Sequence, residues 1–239
     1  MTLHVEESWK EIVDYAYAGL SSQYREFLEK DEGYFPTFHN FLNVFHTLPL
    51  NKCKYILFGQ DPYPRRESAN GYAFIDSKVE KIFSEKGFSK EVNRATSLRN
   101  FLKMLLLSDG YLKEDNLSQE EISLIDKSNF IDSIDELRVN FEKNGVLLLN
   151  TALVFTCKQE TLLHVKEFKN FMQRLLSKLA HHNIELILFG NIAKNIQKYL
   201  FSNGLEFKTI ETLHPYNLKF IVDKNVQKFF KDFYLLYRL

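Results

Sequence analysis

KYILFGQDPYPRRESANGYAF, residues Lys54–Phe74, opens on a short apolar run, Tyr55–Phe58, that breaks at Gly59 into Gln60, Asp61, Pro62 and Tyr63. Four apolar, β-prone residues closed by a turn residue read as a buried strand. Open α/β sheets bind ligands just beyond the carboxyl ends of such strands, which puts Asp61 at the mouth of a candidate site.

Three further runs read the same way: Val146–Leu149, Leu186–Phe189 and Phe207–Leu213. Helical patterns separate them, among them Thr96–Leu107, Val165–Leu179 and Ala193–Phe201. The alternation predicts an α/β fold: a single domain over residues 1–239, with a central, mostly parallel four-stranded sheet and helices on both faces. Each strand ends in polar or turn residues (Gly59-Gln60-Asp61, Asn150-Thr151, Gly190-Asn191, His214-Pro215), so parallel strands would bring these ends to one edge. Apolar spacing over residues 6–30 predicts an outer helix, begun by a capping box at Ser8–Glu11. The polar, acidic stretch 108–140 predicts a solvated helical excursion with a second box at Ser118–Glu121.

Charge is balanced, with 31 basic and 31 acidic side chains, so any nucleic-acid contact must come from a local patch. Arg65, Arg66, Lys86, Lys90, Arg94, Arg99 and Lys103 are candidates for a basic rim that follows a DNA backbone. The two cysteines, Cys53 and Cys157, are far apart and lack the spacing of a zinc or iron–sulfur site, so no metal and no other cofactor is expected. No secretory leader pattern and no run near the ~18 apolar residues of a membrane span is found. A soluble, cytoplasmic, monomeric protein is expected.

Asp61, Asn150 and His214 each follow a strand and together supply an anion, an amide that reads donors and acceptors, and a hydrogen-bond donor. Such a set suits a reaction that creates a cation beside an anion, as when an N-glycosidic bond breaks to an oxocarbenium-like sugar and an anionic base. Each residue also has a simpler reading. Asp61 before Pro62 suits a turn, Asn150 suits a helix cap, and His214 before Pro215 suits an extended loop. Phe74 is one of 22 phenylalanines, most of which must be core, and Leu218 could equally be a core contact.

In order along the chain, five boxes resemble those of the uracil-DNA glycosylases: Gly59-Gln60-Asp61-Pro62-Tyr63 (the family's GQDPYH loop), Gly71–Phe74 (GLAF), Leu147–Thr151 (LLLNT), Leu188-Phe189-Gly190 (an LLWG-like strand end) and His214-Pro215 (HPSP). They span about residues 54–222. The resemblance implies a monofunctional hydrolase of N-glycosyl bonds that removes uracil from DNA by base flipping and leaves an abasic site. Asp61 would orient the attacking water and stabilise the sugar cation, and His214 would hydrogen-bond O2 of the departing base. Gln60 would supply backbone contacts, Tyr63 would exclude the methyl group of thymine, Phe74 would stack on the base, and Asn150 would read its Watson–Crick edge and reject cytosine. Pro62 and Ser97 would contact the DNA, with Leu218 entering the base stack as a wedge. A proteinaceous inhibitor that mimics DNA is known for the family and is a possible partner.

The chain also departs from the family pattern. Pro64 stands where the family has histidine, Tyr216 and Asn217 replace the serine and proline of HPSP, and the two prolines before Ser97 are absent. A small phosphate-contacting hydroxyl is lost and loops stiffened by proline are relaxed, so the grip on the DNA backbone departs from the pattern more than the pocket does. The alternatives are a weakly active or silent relative that binds DNA or a protein, and a glycosylase for a different damaged base.

Overall fold

Ile56, Leu57 and Phe58 are all buried, because strand β1 (Tyr55–Gly59) has both its faces covered. A computed structural model describes residues 3–238. In chain order these form β1, the short hairpin strands β2 (Phe83–Ser84) and β3 (Gly87–Phe88), then β4 (Val146–Asn150), β5 (Glu185–Phe189) and β6 (Lys208–Thr212). The central sheet has the order β4-β1-β5-β6. Strand β1 runs parallel to both neighbours, with Tyr55 opposite Val146 and Glu185, and Gly59 opposite Asn150. The four expected strands are all present, and the β1 and β4 ends lie side by side.

Backbone contacts divide the chain into two compact units, one taking the chain up to Asp76 together with Gly145–Glu211, the other Ser77–Asn144 and the chain from Thr212 onward. In the first, helices α1 (Lys10–Tyr17), α2 (Ser22–Lys30), α7 (Thr161–Leu179) and α8 (Asn191–Ser202) accompany the sheet. Ile56, Phe58, Leu147, Leu149, Leu186 and Leu188 point into one core with Trp9, Val13, Phe168 and Leu175. The alternate set, Leu57, Leu148 and Ile187, is equally buried, as period-two geometry requires of a sheet covered on both sides.

The single helix expected over residues 6–30 is two helices. Ser21 caps α2 by accepting from the Tyr24 N–H at 3.1 Å, which restarts the helix after the Ala18–Leu20 turn. The Ser8 capping box is absent: Glu6 accepts from Ser8 N at 3.0 Å, and Ser8 Oγ accepts from Leu50 N at 2.8 Å. The segment is also less peripheral than expected, since Trp9 is fully buried and donates to Leu48 O at 2.6 Å.

The second unit holds α3 (Lys90–Arg94), α4 (Thr96–Ser108), α5 (Gln119–Leu124), α6 (Ile134–Lys143) and α9 (Lys224–Lys231). Its centre is aromatic: the Phe101 ring lies 5.1 Å from that of Phe230 and 5.8 Å from that of Phe141. The 108–140 stretch is not simply solvated. Lys113, Glu114, Asp115 and Glu120 are exposed, but Ile122, Phe130, Ile131, Ile134 and Leu137 are buried in this unit. Ser118 caps α5 through Glu121 N at 3.1 Å, but the Glu121 carboxylate takes Asn116 Nδ2 at 2.8 Å and leaves the box half made. The complete capping box is at Ser133 and Glu136.

Candidate active site

In the first unit the site begins where β1 and β4 end. Asn150 closes β4 with only 4% of its surface exposed, and a Cβ added to Gly59 would meet its Oδ1 at 2.1 Å and Ala73 Cβ at 2.8 Å. Glycine at 59 is what lets the amide lie against the β1 backbone. The next residues are tied across the same edge: Thr151 N donates to Gly59 O at 2.9 Å, Ala152 N to Gln60 O at 2.9 Å, and Thr151 Oγ1 to Gln60 O at 2.7 Å. These bonds fix the Gln60 backbone while its side chain is exposed.

The loop that follows folds back on the sheet. Ala73 N donates to Leu148 O at 2.9 Å, and Tyr63 OH donates to Phe74 O at 3.3 Å. Phe74 holds φ +68°, a left-handed conformation uncommon for any residue but glycine and more so for a bulky ring. Its ring is 6.5 Å from that of Phe189 at 66°, an edge contact that leaves Phe74 half-buried. Gly71 makes the turn before it at φ +90°, where a Cβ would stand 2.1 Å from Asn40 O. Arg65 clamps the loop: Nη2 lies 3.1 Å from Asp76 Oδ2 and Nε donates to Ser68 Oγ at 3.2 Å, with both partners buried.

Asp61 is half-buried, and among the described residues no hydrogen bond or ion pair reaches its carboxylate. Burial alone pushes its pKa above the ordinary carboxylate range. Burial, then the Asp76 charge, likewise raises the Tyr63 phenol, which is therefore neutral at physiological pH. Pro62 is buried and sets φ beside Asp61.

The second unit carries the remaining candidates. His214 follows β6, and its Nδ1 accepts from Tyr216 N at 3.1 Å. A neutral imidazole has one donor and one acceptor nitrogen, so this bond leaves Nε2 with the proton. Desolvation lowers the His214 pKa, which favours that neutral form. Leu218 is 68% exposed at the start of a short 3₁₀ turn, Leu218–Phe220, beside an equally open Tyr216, and is not a core contact. Ser97 lies in the first turn of α4, where no side chain caps the helix.

The basic rim is partly committed elsewhere. Arg65 serves Asp76, Arg66 donates to Glu32 O at 2.9 Å and lies over the Phe35 ring, Arg99 donates to Asn93 O at 3.0 Å, and Lys103 donates to Leu117 O at 2.5 Å. Among the described residues no group of three or more His, Cys, Asp or Glu side chains is arranged to hold a metal ion, and no helix is long and apolar enough to cross a membrane.

Compared with solved structures, the chain is 45% identical to the wild-type UNG crystal structure from Nitratifractor salsuginis, with a TM-score of 0.95 over 98% of this chain and 94% of that one. The chain belongs to the uracil-DNA glycosylase family. Curated uracil-DNA glycosylases are similar over nearly the whole length: that of Borreliella burgdorferi is 24% identical across 90% of this chain and 85% of its own, and that of Fusobacterium nucleatum 26% across 88% and 81%. Mimivirus uracil-DNA glycosylase, at 18% identity and a TM-score of 0.58 over 89% of this chain and 69% of its own, shares the fold. No protein-family model matches the chain.

Within this uracil-DNA glycosylase-family chain, two polar residues next to the candidates went unread in the sequence. Asp76 receives Arg65, and Asn100 in α4 donates through Nδ2 to Pro215 O at 2.8 Å. Neither has a local signal, because the partners are 11 and 115 residues away.

Proposed function

We propose that this uracil-DNA glycosylase-family protein hydrolyses the N-glycosidic bond of uracil in DNA, with the residues above in the roles their chemistry suits. The observation that carries this reading is the buried Asn150 amide, held against Gly59 at the β4 end. A buried amide of this kind accepts from uracil N3–H and donates to O4, and cytosine presents the reverse pattern.

In this reading Tyr63 occupies the space beside C5 and keeps thymine out, while Phe74 supplies the face on which the flipped base stacks. Asp61, a carboxylate with no ion-pair partner among the described residues, orients the attacking water and stabilises the sugar as the bond to the base lengthens. His214, neutral with its proton on Nε2, donates to O2 as negative charge collects on the base. Leu218 fills the gap that the extruded base leaves, and Ser97, with the open N–H groups of the α4 start, meets phosphate. Tyr216 and Asn217 bring an aromatic ring and an amide where the family has a small hydroxyl and proline, so this loop grips DNA by its own chemistry. A protein that mimics DNA would compete for the same groups.

The test is release of free uracil from a labelled single-stranded oligonucleotide and from U·G and U·A duplexes, in EDTA. Release by the wild type and not by Asp61→Asn is the expected result. Binding without release from any substrate would point to a silent DNA-binding relative.

A further inference from the structure

Asn100 is an unusual residue for the interior of α4. Asparagine competes poorly there, and at 1% exposure its amide must find partners inside the protein. Its Nδ2 donates to Pro215 O at 2.8 Å, with Tyr216 O at a more distant 3.5 Å, and its Oδ1 faces Arg99 Nη2 at 3.4 Å.

The Pro215 carbonyl and the Tyr216 N–H belong to one peptide group, planar and trans, so they point in opposite directions along a rigid unit. Asn100 holds the oxygen end of that plane. The other end, Tyr216 N–H, donates to His214 Nδ1 at 3.1 Å. The His214 carbonyl accepts from Asn217 N at 2.9 Å, which closes the turn. One amide in α4 thus reaches the His214 ring through a single peptide plane, and a rotation of that plane would withdraw the donor that fixes the tautomer.

We propose that Asn100 is a positioning residue for His214: it orients the Pro215–Tyr216 peptide so that Nδ1 stays an acceptor and the proton stays on Nε2. The proposal rests on the reading in which Nε2–H donates to the leaving base. It gives α4 two duties three residues apart on one helical face, Ser97 toward phosphate and Asn100 toward the His214 turn.

The experiment compares wild type with Asn100→Asp, which keeps the shape but removes both N–H donors and sets a carboxylate against the carbonyl. Asn100→Ala serves if the first variant does not fold. Histidine ring ¹⁵N NMR reports the His214 tautomer, and steady-state kinetics on a uracil oligonucleotide report kcat and KM. The expected result is loss of the single Nε2–H signature with kcat down about 10- to 100-fold and KM within about twofold, since small misplacements of a reacting group act on the chemical step. A His214 that keeps one Nε2–H tautomer in the variant overturns the proposal, as does an unchanged kcat. The NMR readout stands apart from turnover: a wild type that releases no uracil overturns the activity reading, and the tautomer shift alone then decides the positioning role.

Discussion

A side-chain carbon on residue 59 would stand 2.1 Å from Asn150 Oδ1, so Gly59 and Asn150 can occupy adjacent strand ends only because one of them has no side chain. Gly59→Ala is expected to push the Asn150 amide out of place and to cost about 1–3 kcal/mol, as overpacking of a tight site does. Urea denaturation gives the stability change. Inhibition by free uracil is expected to weaken with it if Asn150 is the group that reads the base, as proposed.

Asp61 works against the fold. Burial raises its pKa in the folded state above the unfolded value, about 3.9. A carboxyl group shifted this way favours folding fully below the unfolded pKa, and the contribution is lost as pH rises through the folded one. At about pH 7 Asp61→Asn should therefore melt no lower than wild type, with its relative advantage shrinking as pH falls toward about 4. Single-turnover release should fall by about 10²-fold or more, with DNA binding kept. Calorimetry across that range checks the first statement, and equal loss of binding would make Asp61 a structural residue.

Tyr63, proposed to keep the methyl group of thymine out, also donates a hydrogen bond from its hydroxyl to Phe74 O at 3.3 Å. Tyr63→Phe should keep selection against thymine and lose about 1 kcal/mol of stability, the net value of an ordinary hydrogen bond. Tyr63→Ala should admit thymine. A Tyr63→Ala protein that is only slower on uracil, with no thymine release from a T·G duplex, removes the gate from the account.

His164 is 2% exposed, with Nδ1 2.6 Å from Tyr24 OH and Nε2 2.9 Å from Thr156 Oγ1. Burial lowers its pKa, so the fold holds it neutral. That contribution is whole above the unfolded histidine pKa, about 6.5, and drains away as pH drops toward the depressed folded value. Melting temperature should decline between about pH 7 and pH 5. His164→Gln should melt lower throughout and with a flatter slope in that window.

Much of the site was legible because strands buried on both faces write themselves as unbroken apolar runs, and the polar residue that ends each run stands out. Tyr55–Phe58 before Gly59 and Val146–Leu149 before Asn150 are such cases. Ser21 was harder to read, since the apolar spacing from Trp9 to Leu28 continues through the turn that Ser21 caps. Asn100 had no signal at all, because its partner lies on a loop 115 residues later. Arg65 looked like a free cation only because the carboxylate that takes it, Asp76, follows a turn that sequence spacing does not reveal.

The most direct measurement places uracil, thymine and cytosine in turn at one position of otherwise identical labelled oligonucleotides and follows free-base release by the wild-type protein. Release of uracil alone is the result expected from an Asn150 that reads the base edge and a Tyr63 that excludes the methyl group. Release of thymine or cytosine at a comparable rate, or of no base at all, would contradict the account.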